Sequence, residues 1–299
     1  MAVKLKPLKK QVIVLTGATS GIGLATADAA SQLGAKLVLV ARGTEALAKV
    51  TDEINAGGGS AIYVAADVSD LAQVQNVAQK AIEHFGRIDT WINDAGTSIY
   101  GRLDEVSDAD SRRLFDINFW GIVNGSLVAL PYLKKQGGAL INVGSEASEA
   151  VLPLQGMYSA SKHAVMGFTE GLRVEIEEVD KAPVAITLIQ PTAVNTPLPQ
   201  HARNYMKKEP KLMTPQIDPY RVADAILAAA VRHSGNVKVG AIAKVDTKMQ
   251  ALLPGLARKL EAQQVNRQQH NESPRRPEGT LYQSGAGGQV YGGIPSTLH

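Results

Sequence analysis

The sequence predicts an α/β protein with a single doubly wound, mostly parallel sheet of seven strands and helices on both faces. Short apolar, β-branched runs alternate with helical stretches over the first 240 residues. These runs are continuously apolar, as expected of parallel strands that are buried on both faces. Glycine or proline ends many of the segments, so strands and helices are separated by recognisable turns.

The strands and helices recur in strict alternation. Strands are expected at 12–15, 37–41, 62–65, 88–92, 139–143, 184–189 and 237–239. Helices are expected at 24–33, 45–56, 70–85, 108–134, 156–178 and 221–232. Ser69 or Asp70 is expected to cap the third helix, and Pro131 to interrupt the fourth.

Composition excludes several classes of function. The 299 residues contain no cysteine, which excludes disulfides, thiolate metal sites and cysteine nucleophiles. The six histidines are scattered, so we expect no metal site. A net charge of +3 is too small to indicate nucleic-acid binding. No apolar run resembles a secretory signal or a membrane span, so we expect a cytoplasmic protein without membrane contact.

Three glycines lie between the first strand and the first helix. Gly17 allows a tight turn, while Gly21 and Gly23 allow the backbone to approach a pyrophosphate at the start of the helix. In a strand–turn–helix–strand context this spacing predicts a Rossmann-like dinucleotide site. The alternative is a purely structural turn.

The second strand ends in Ala41-Arg42 instead of an acidic residue. A carboxylate there would bind the ribose 2′-hydroxyl of NAD, whereas an arginine can hold the 2′-phosphate of NADP. We therefore expect NADP(H) to be preferred over NAD. The alternative is a solvated arginine at a strand end.

Tyr158 and Lys162 are four residues apart in a predicted helix and therefore share one face. A nearby ammonium group lowers the pKa of a phenol and makes it a proton donor or acceptor near neutral pH. The alternative is a solvated helix face.

Taken in order, these residues resemble the short-chain dehydrogenase/reductase family over residues 9–240. The matching motifs are Thr16-Gly-x-x-x-Gly-x-Gly23, Asp67-Val68, Asn93-x-Ala-Gly96, Asn118, Ser145 and Tyr158-x-x-x-Lys162. Two positions depart from the family pattern. Asp94 replaces an asparagine, which we expect to alter local hydrogen bonding and leave catalysis intact. Thr192 replaces a glycine after Pro191, which we expect to shift the loop on the nicotinamide side.

The resemblance implies four catalytic residues. Tyr158 would be the proton donor or acceptor. Lys162 would bind the nicotinamide ribose and lower the tyrosine pKa. Ser145 would hydrogen-bond the substrate oxygen and stabilise the developing alkoxide. Asn118 would hold a water that links Lys162 to solvent.

The resemblance also implies the cofactor contacts. The cofactor-binding residues would be Gly17, Thr19, Ser20, Gly21, Ile22, Gly23, Arg42, Asp67, Val68, Asn93, Ala95, Gly96, Tyr158, Lys162, Pro191, Thr192, Val194 and Thr196. Asp67 would meet the exocyclic amine of adenine.

Loops at the carboxyl ends of the strands are expected to bind the substrate. The candidate substrate residues are Ser145, Leu152, Tyr158, His201 and Tyr205. Their mixture of polar and apolar groups indicates a medium-sized, partly apolar carbonyl compound or alcohol. Residues 192–219 contain five prolines and are expected to form a substrate lid.

We expect residues 1–240 to form the Rossmann-fold catalytic domain and residues 241–299 a C-terminal helix with an extended or disordered tail. Other hypotheses for this extension are an oligomer contact through Tyr282 and Tyr291 or a basic amphipathic segment on a membrane surface.

These expectations lead to one functional hypothesis, an NADP(H)-dependent oxidoreductase that interconverts a carbonyl and a secondary alcohol as a homodimer or homotetramer. The alternatives are an NAD-dependent dehydrogenase of the same family, a non-catalytic cofactor-binding sensor or scaffold, and an epimerase or dehydratase of nucleotide sugars.

Overall fold

The computed structural model describes residues 3–240, 255, 259, 262–263 and 265–292. Its strands are β1 (Val12–Thr16), β2 (Lys36–Ala41), β3 (Ser60–Ala65), β4 (Thr90–Asn93), β5 (Ile99–Tyr100), β6 (Gly138–Val143), β7 (Val184–Pro191), β8 (Arg203–Asn204) and β9 (Asn236–Val239). Seven of them form a parallel sheet in the order β3-β2-β1-β4-β6-β7-β9, and β5 pairs with β8. The predicted seven-stranded parallel sheet is confirmed.

Helices cover both faces of this sheet. They are α1 (Gly21–Gln32), α2 (Thr44–Ala56), α3 (Leu71–Phe85), α4 (Asp108–Phe115), α5 (Gly121–Gln136), α6 (Gly156–Arg173), α7 (Leu198–His201) and α8 (Pro219–Val231). One apolar core lies between the sheet and α1, α2 and α8. A second core lies between the opposite face and α3, α5 and α6. The sheet is therefore buried on both sides, which explains its continuously apolar strands.

The helix α4–α5 continues through Pro131, so the prediction that this proline interrupts it was wrong. Proline removes the hydrogen bond to the carbonyl of residue 127. Leu127 and Pro131 are both exposed, so water can solvate that carbonyl, while the buried Leu130 and Leu133 hold the helix against the core. Among the described residues, 108–136 is the one helical stretch long and apolar enough to cross a membrane, and 56% of its apolar window is buried inside the fold.

A π-helical turn, Asp116–Trp120, joins α4 to α5. At the start of α3, the carboxylate of Asp70 accepts hydrogen bonds from the amides of Ala72 and Gln73. Asp70, and not Ser69, therefore caps this helix.

Residues 276–292, here called the C-terminal strap, lie across the loops at the carboxyl edge of the sheet. Leu281 is fully buried against the domain, and the Tyr282 hydroxyl donates a hydrogen bond to Asp110. The Tyr291 hydroxyl donates to Asp218 at 3.3 Å. Both tyrosines thus contact aspartates of their own chain. The tail was expected to be extended or disordered. Over its described residues, 276–292, the strap contains no helix, and it packs against the domain.

The C-terminal helix was expected from apolar residues at helical spacing, at positions 249, 252, 253, 256 and 260, and these positions lie outside the described residues.

Two helical glycines test the core on the α5 side of the sheet. A Cβ at Gly125 would overlap the Asn93 side chain and lie 2.8 Å from Trp91 Nε1, whereas a Cβ at Gly171 would meet nothing within 4 Å. We expect Gly125→Ala to lower the free energy of unfolding by about 3 kcal/mol through overpacking. Gly171→Ala should raise it by about 0.5 to 1 kcal/mol through helix propensity.

Denaturant unfolding of both variants measures these changes. Equal effects of the two substitutions would contradict the close approach of α5 to β4.

Candidate active site

A cleft runs along the carboxyl edge of the sheet. It is lined by the loops that follow β1, β2, β3, β4, β6 and β7, and by the strap. The cleft contains about 1680 Å³ of empty space, including its open mouth. In a doubly wound sheet this edge is where ligands bind.

The glycine turn after β1 packs directly on the loop after β4. A Cβ at Gly17 would lie 2.9 Å from the amide nitrogen of Ala95, so only glycine fits there. Thr16 Oγ1 accepts hydrogen bonds from the amides of Asp94 and Ala95 at 3.0 and 3.1 Å. The side chain of Ser20, at the start of α1, makes no capping hydrogen bond. The start of α1 therefore opens into the cleft without a side-chain cap.

Asp94 is half-buried beneath this turn, where its carboxylate accepts a hydrogen bond from the amide of Gly23. Burial raises the pKa of Asp94 to about 7, and the nearby Lys162 acts in the opposite direction. An asparagine would present a neutral amide here. The departure from the family pattern therefore places an ionisable group between the glycine turn and Lys162.

Three polar side chains converge at the other end of the cleft. Tyr158 and Ser145 are buried and share a side-chain hydrogen bond. Lys162 Nζ donates to the carbonyl of Val143 at 2.9 Å. Burial lowers the pKa of Lys162 to about 8, an effect that Asp94 opposes. Helix α6 supplies Tyr158 and Lys162, and the loop after β6 supplies Ser145.

The pKa of Tyr158 differs from the sequence expectation. Burial raises it to about 12, and the hydrogen bond from Ser145 acts in the opposite direction. Lys162 Nζ lies 5.8 Å from the centroid of the Tyr158 ring and is bound to Val143. The cost of burying a phenolate therefore outweighs any stabilisation by the ammonium group, and Tyr158 is protonated at neutral pH.

Asn118 lies in the π-helical turn and is fully buried. Its side chain accepts from the amide of Thr97 and donates to the carbonyl of Thr97, both at 2.9 Å. A Cβ at Gly96 would lie 3.4 Å from Asn118 Oδ1 and 3.8 Å from Lys162 Nζ. Asn118 and Lys162 are thus neighbours behind Gly96, and the Asn118 side chain does not line the cleft.

Most predicted cofactor residues line the cleft. They are Gly17, Thr19, Ser20, Gly21, Ile22, Arg42, Asp67, Val68, Ala95, Gly96, Tyr158, Lys162, Pro191, Thr192, Val194 and Thr196. Gly23 lies behind this wall. Asn93 also lies outside it, because its buried side chain accepts from Trp91 and donates to Asn142 on the other side of the sheet. Thr192 packs its side chain against Gly240.

Arg42 and Asp67 lie near each other in the cleft, beyond the ends of β2 and β3, and both already have partners. The Arg42 guanidinium donates to the carbonyls of Thr280, Leu281 and Gln283 in the strap. Although burial opposes it, hydrogen bonds from Ser69 and Arg113 hold the pKa of Asp67 below its usual value.

Four of the five predicted substrate residues line the cleft: Ser145, Leu152, Tyr158 and His201. Tyr205 does not, because its hydroxyl donates to Asp110 at 2.7 Å on the outside of the fold. Burial lowers the pKa of His201, which is therefore neutral at pH 7.

Several cleft residues were not among the predicted site residues. They are Thr97, Ile117, Gln155, Leu212, Met213 and, from the strap, Thr280, Ser284, Gly285 and Gly287. Thr97 follows Gly96 directly and Gln155 lies three residues before Tyr158. Their closeness to these predicted site residues could have identified both as candidates. The strap residues carry no comparable signal.

The model of the short-chain dehydrogenase family matches residues 11–207. The protein is a short-chain dehydrogenase. Among the described residues of this dehydrogenase, no three His, Cys, Asp or Glu side chains are placed to hold a metal ion.

Similar proteins are known from several organisms. The uncharacterized oxidoreductase YxnA of Bacillus subtilis is 43% identical over 289 residues, covering 95% of this dehydrogenase and 81% of YxnA. The putative oxidoreductase SadH of Mycobacterium tuberculosis is 36% identical over 193 residues, covering 64% of this chain and 70% of SadH.

Two solved structures are also similar. A short-chain dehydrogenase/reductase from Burkholderia phymatum in complex with NAD has a TM-score of 0.76 and 29% identity, covering 84% of this chain and 96% of that one. An alcohol dehydrogenase from Thermococcus sibiricus complexed with 5-hydroxy-NADP has a TM-score of 0.67 and 26% identity, covering 77% of this chain and 95% of that one.

Asp94 makes stability depend on pH. Its pKa is about 7 in the folded protein and 3.8 in an unperturbed carboxyl group, so the folded state binds the proton more tightly than the unfolded state does. The folded state therefore loses stability as the pH rises from 3.8 to about 7. We expect Asp94→Asn to flatten this decline, because the amide carries no charge. Thermal unfolding of both proteins across this interval measures the effect.

Asp70→Asn is the control. Asp70 is exposed, and hydrogen bonds from Gln73 hold its pKa below the ordinary value of 3.8. Its contribution to stability is therefore lost only in more acidic solution. Parallel curves for wild type and Asp94→Asn would contradict the raised pKa of Asp94.

Proposed function

We propose that this protein is an NADP(H)-dependent oxidoreductase that interconverts a carbonyl and a secondary alcohol, with Tyr158 as the acid or base. The observation that carries the proposal is the hydrogen bond between the Tyr158 hydroxyl and Ser145, beside the buried Lys162 and in the cleft that also contains the glycine turn. A scaffold that only binds a cofactor has no need of a buried phenol and hydroxyl pair.

The residues present fit a nicotinamide dinucleotide. Gly17 and Gly96 both line the cleft. A side chain at Gly17 would meet Ala95, and a side chain at Gly96 would fill the space beside Asn118 and Lys162. The glycine turn would hold the diphosphate, and Lys162 would hold the nicotinamide ribose. When bound, the nicotinamide supplies or accepts the hydride.

The protein's own residues handle the oxygen and its proton. Tyr158 carries its proton at neutral pH because burial raises its pKa, so it can donate that proton to the oxygen of a carbonyl substrate. Ser145 donates its single hydroxyl proton to Tyr158 in the free protein and can turn that proton to the oxygen of a bound substrate. Asn118 fixes the backbone of Thr97 next to Gly96 and so keeps the space around Lys162 open.

The preference for NADP(H) rests on Arg42. It lies in the cleft at the end of β2, where the ribose 2′ position of a dinucleotide is expected. Residues 41–43 offer no carboxylate that could accept a hydrogen bond from a 2′-hydroxyl. The structural relative from Thermococcus sibiricus was solved with an NADP derivative.

The substrate is proposed to be a medium-sized, partly apolar carbonyl compound or alcohol. Leu152, Leu212 and Met213 provide an apolar wall, and Thr97 Oγ1 has no hydrogen-bond partner among the described residues. A homodimer or homotetramer in the cytoplasm is also proposed. Trp120 and Leu127 support this oligomer, because both are about half exposed and lie two turns apart on α4–α5.

Substituting Tyr158 with phenylalanine tests the mechanism. We expect kcat to fall by about 10²-fold or more, since a positioned general acid contributes at least this much. Cofactor affinity should stay close to that of wild type, because the ring remains in place. Turnover of a panel of carbonyl compounds, followed by NADPH absorbance, and cofactor titration measure the two quantities. Wild-type turnover in the variant would exclude Tyr158 as the acid.

Arg42→Gln tests the cofactor preference. We expect NADP to lose about tenfold or more in affinity relative to NAD, the loss of one hydrogen bond to a charged group. Loosening of the strap would weaken both cofactors alike and leave this ratio unaffected. Titration with both cofactors measures the ratio of their dissociation constants. Equal losses for NAD and NADP would show that Arg42 acts only by holding the strap.

A further inference from the structure

The strap crosses the cleft between the loop after β2 and the glycine turn after β1. A Cβ at Gly43, just after β2, would lie 3.3 Å from Ser284. A Cβ at Gly287 would lie 3.3 Å from Thr19 in the glycine turn. Ser284, Gly285 and Gly287 line the cleft along this span. In a doubly wound fold, the adenosine ribose lies at the end of the second strand and the diphosphate at the start of the first helix. The strap therefore covers that path from above.

Four consecutive backbone amides of the strap, those of residues 284–287, donate no hydrogen bond to any part of the chain that the structure describes. Gly287 and Gly288 have φ values of 66° and 77°, which are open to glycine and strained for other residues. Successive free amides can form a concave site for an anion, and Gly287, at the end of this run, has the left-handed conformation that occurs in such sites. The segment thus has free backbone donors for a phosphate, and it has glycines at the positions where the backbone needs a positive φ.

The segment is held in place on both sides. On one side the Arg42 guanidinium donates to the carbonyls of Thr280, Leu281 and Gln283. On the other side the amide of Gly21 donates to the carbonyl of Gln289 at 2.9 Å, and the amide of Gly288 donates to the carbonyl of Thr19 at 2.8 Å. Fixed donors bind an anion more tightly than mobile ones, since less ordering is needed on binding.

We propose that residues 284–287 are a second phosphate-binding element, which holds the diphosphate and adenosine ribose of the dinucleotide from the side opposite Gly17–Ile22. The inference rests on the proposed function, because it assumes a dinucleotide in this cleft. The cofactor would then be bound between two glycine-rich segments that are more than 250 residues apart in the sequence.

Two adjacent glycines provide the test. Gly287→Ala and Gly288→Ala both place a side chain at positive φ, so both carry similar backbone strain. The Cβ at 287 would also lie 2.6 Å from Ala46 Cβ and 3.3 Å from Thr19, whereas a Cβ at 288 would meet nothing within 4 Å. Only Gly287→Ala pushes residues 284–287 away from the glycine turn.

Affinity for ADP-ribose, the half of the cofactor that the strap covers, is measured by calorimetry with the full-length chain. We expect Gly287→Ala to weaken binding about tenfold or more relative to Gly288→Ala, which corresponds to one lost hydrogen bond to a charged group. The double variant Ala46→Gly/Gly287→Ala removes the atom at 2.6 Å and should restore most of the affinity. If Gly287→Ala folds poorly, Ser284→Pro carries the test with the same expected loss, because proline removes one of the four free amides and breaks no hydrogen bond within the described chain.

Equal affinities of Gly287→Ala and Gly288→Ala for ADP-ribose would overturn the inference. Tighter binding of ADP-ribose by Gly287→Ala would also overturn it, because the strap would then compete with the cofactor. Failure of the double variant to regain affinity would also overturn it. Wild-type protein that binds neither NADPH nor ADP-ribose would instead contradict the proposed function. A different outcome contradicts only the role of the strap. In that outcome the wild-type protein binds NADPH and ADP-ribose and turns over substrate, and the two glycine variants have equal affinities for ADP-ribose.

Discussion

The hydrogen bonds from the loop after β4 to Thr16 hold the two ends of the cleft together. Through them the glycine turn after β1 and the loop containing Ala95 and Gly96 form one unit, in which Gly17 packs without space for a side chain. Gly96 in turn lies between this unit and the pair Asn118 and Lys162. The place where a diphosphate can bind and the place where a proton can be transferred are therefore fixed relative to each other by the sheet itself.

Burial sets the pKa values of the ionisable groups around Tyr158. Tyr158, Lys162 and Asp94 are all withdrawn from water, and in each case burial favours the neutral form. The hydrogen bond from Ser145 and the attraction between Lys162 and Asp94 work against this effect without cancelling it. The tyrosine consequently keeps its proton, and the lysine and aspartate titrate close to neutrality. Small changes in the charge of a bound ligand can then shift all three groups, because they share one poorly solvated region.

Much of this arrangement could be predicted from the sequence because its physical causes are local. Parallel strands buried on both faces must be apolar throughout, so β1, β2 and β7 stand out, and the functional loops follow them directly. Side-chain direction and long-range contacts have no such signature. Asn93 ends a strand in the predicted place, yet its side chain binds Trp91 and Asn142 away from the cleft. The strap is rich in glycine and polar residues, and its attachment depends on backbone carbonyls that meet Arg42.

The position of Leu281 has a consequence for how the protein is made. This side chain is fully buried in the cluster that also contains Tyr158, although it is synthesised long after Tyr158. A nascent chain can form the sheet, the glycine turn and the catalytic helix while its cleft still lacks one wall. The complete binding site thus exists only after synthesis has passed residue 287, and a polypeptide released too early would keep the fold with an open cleft.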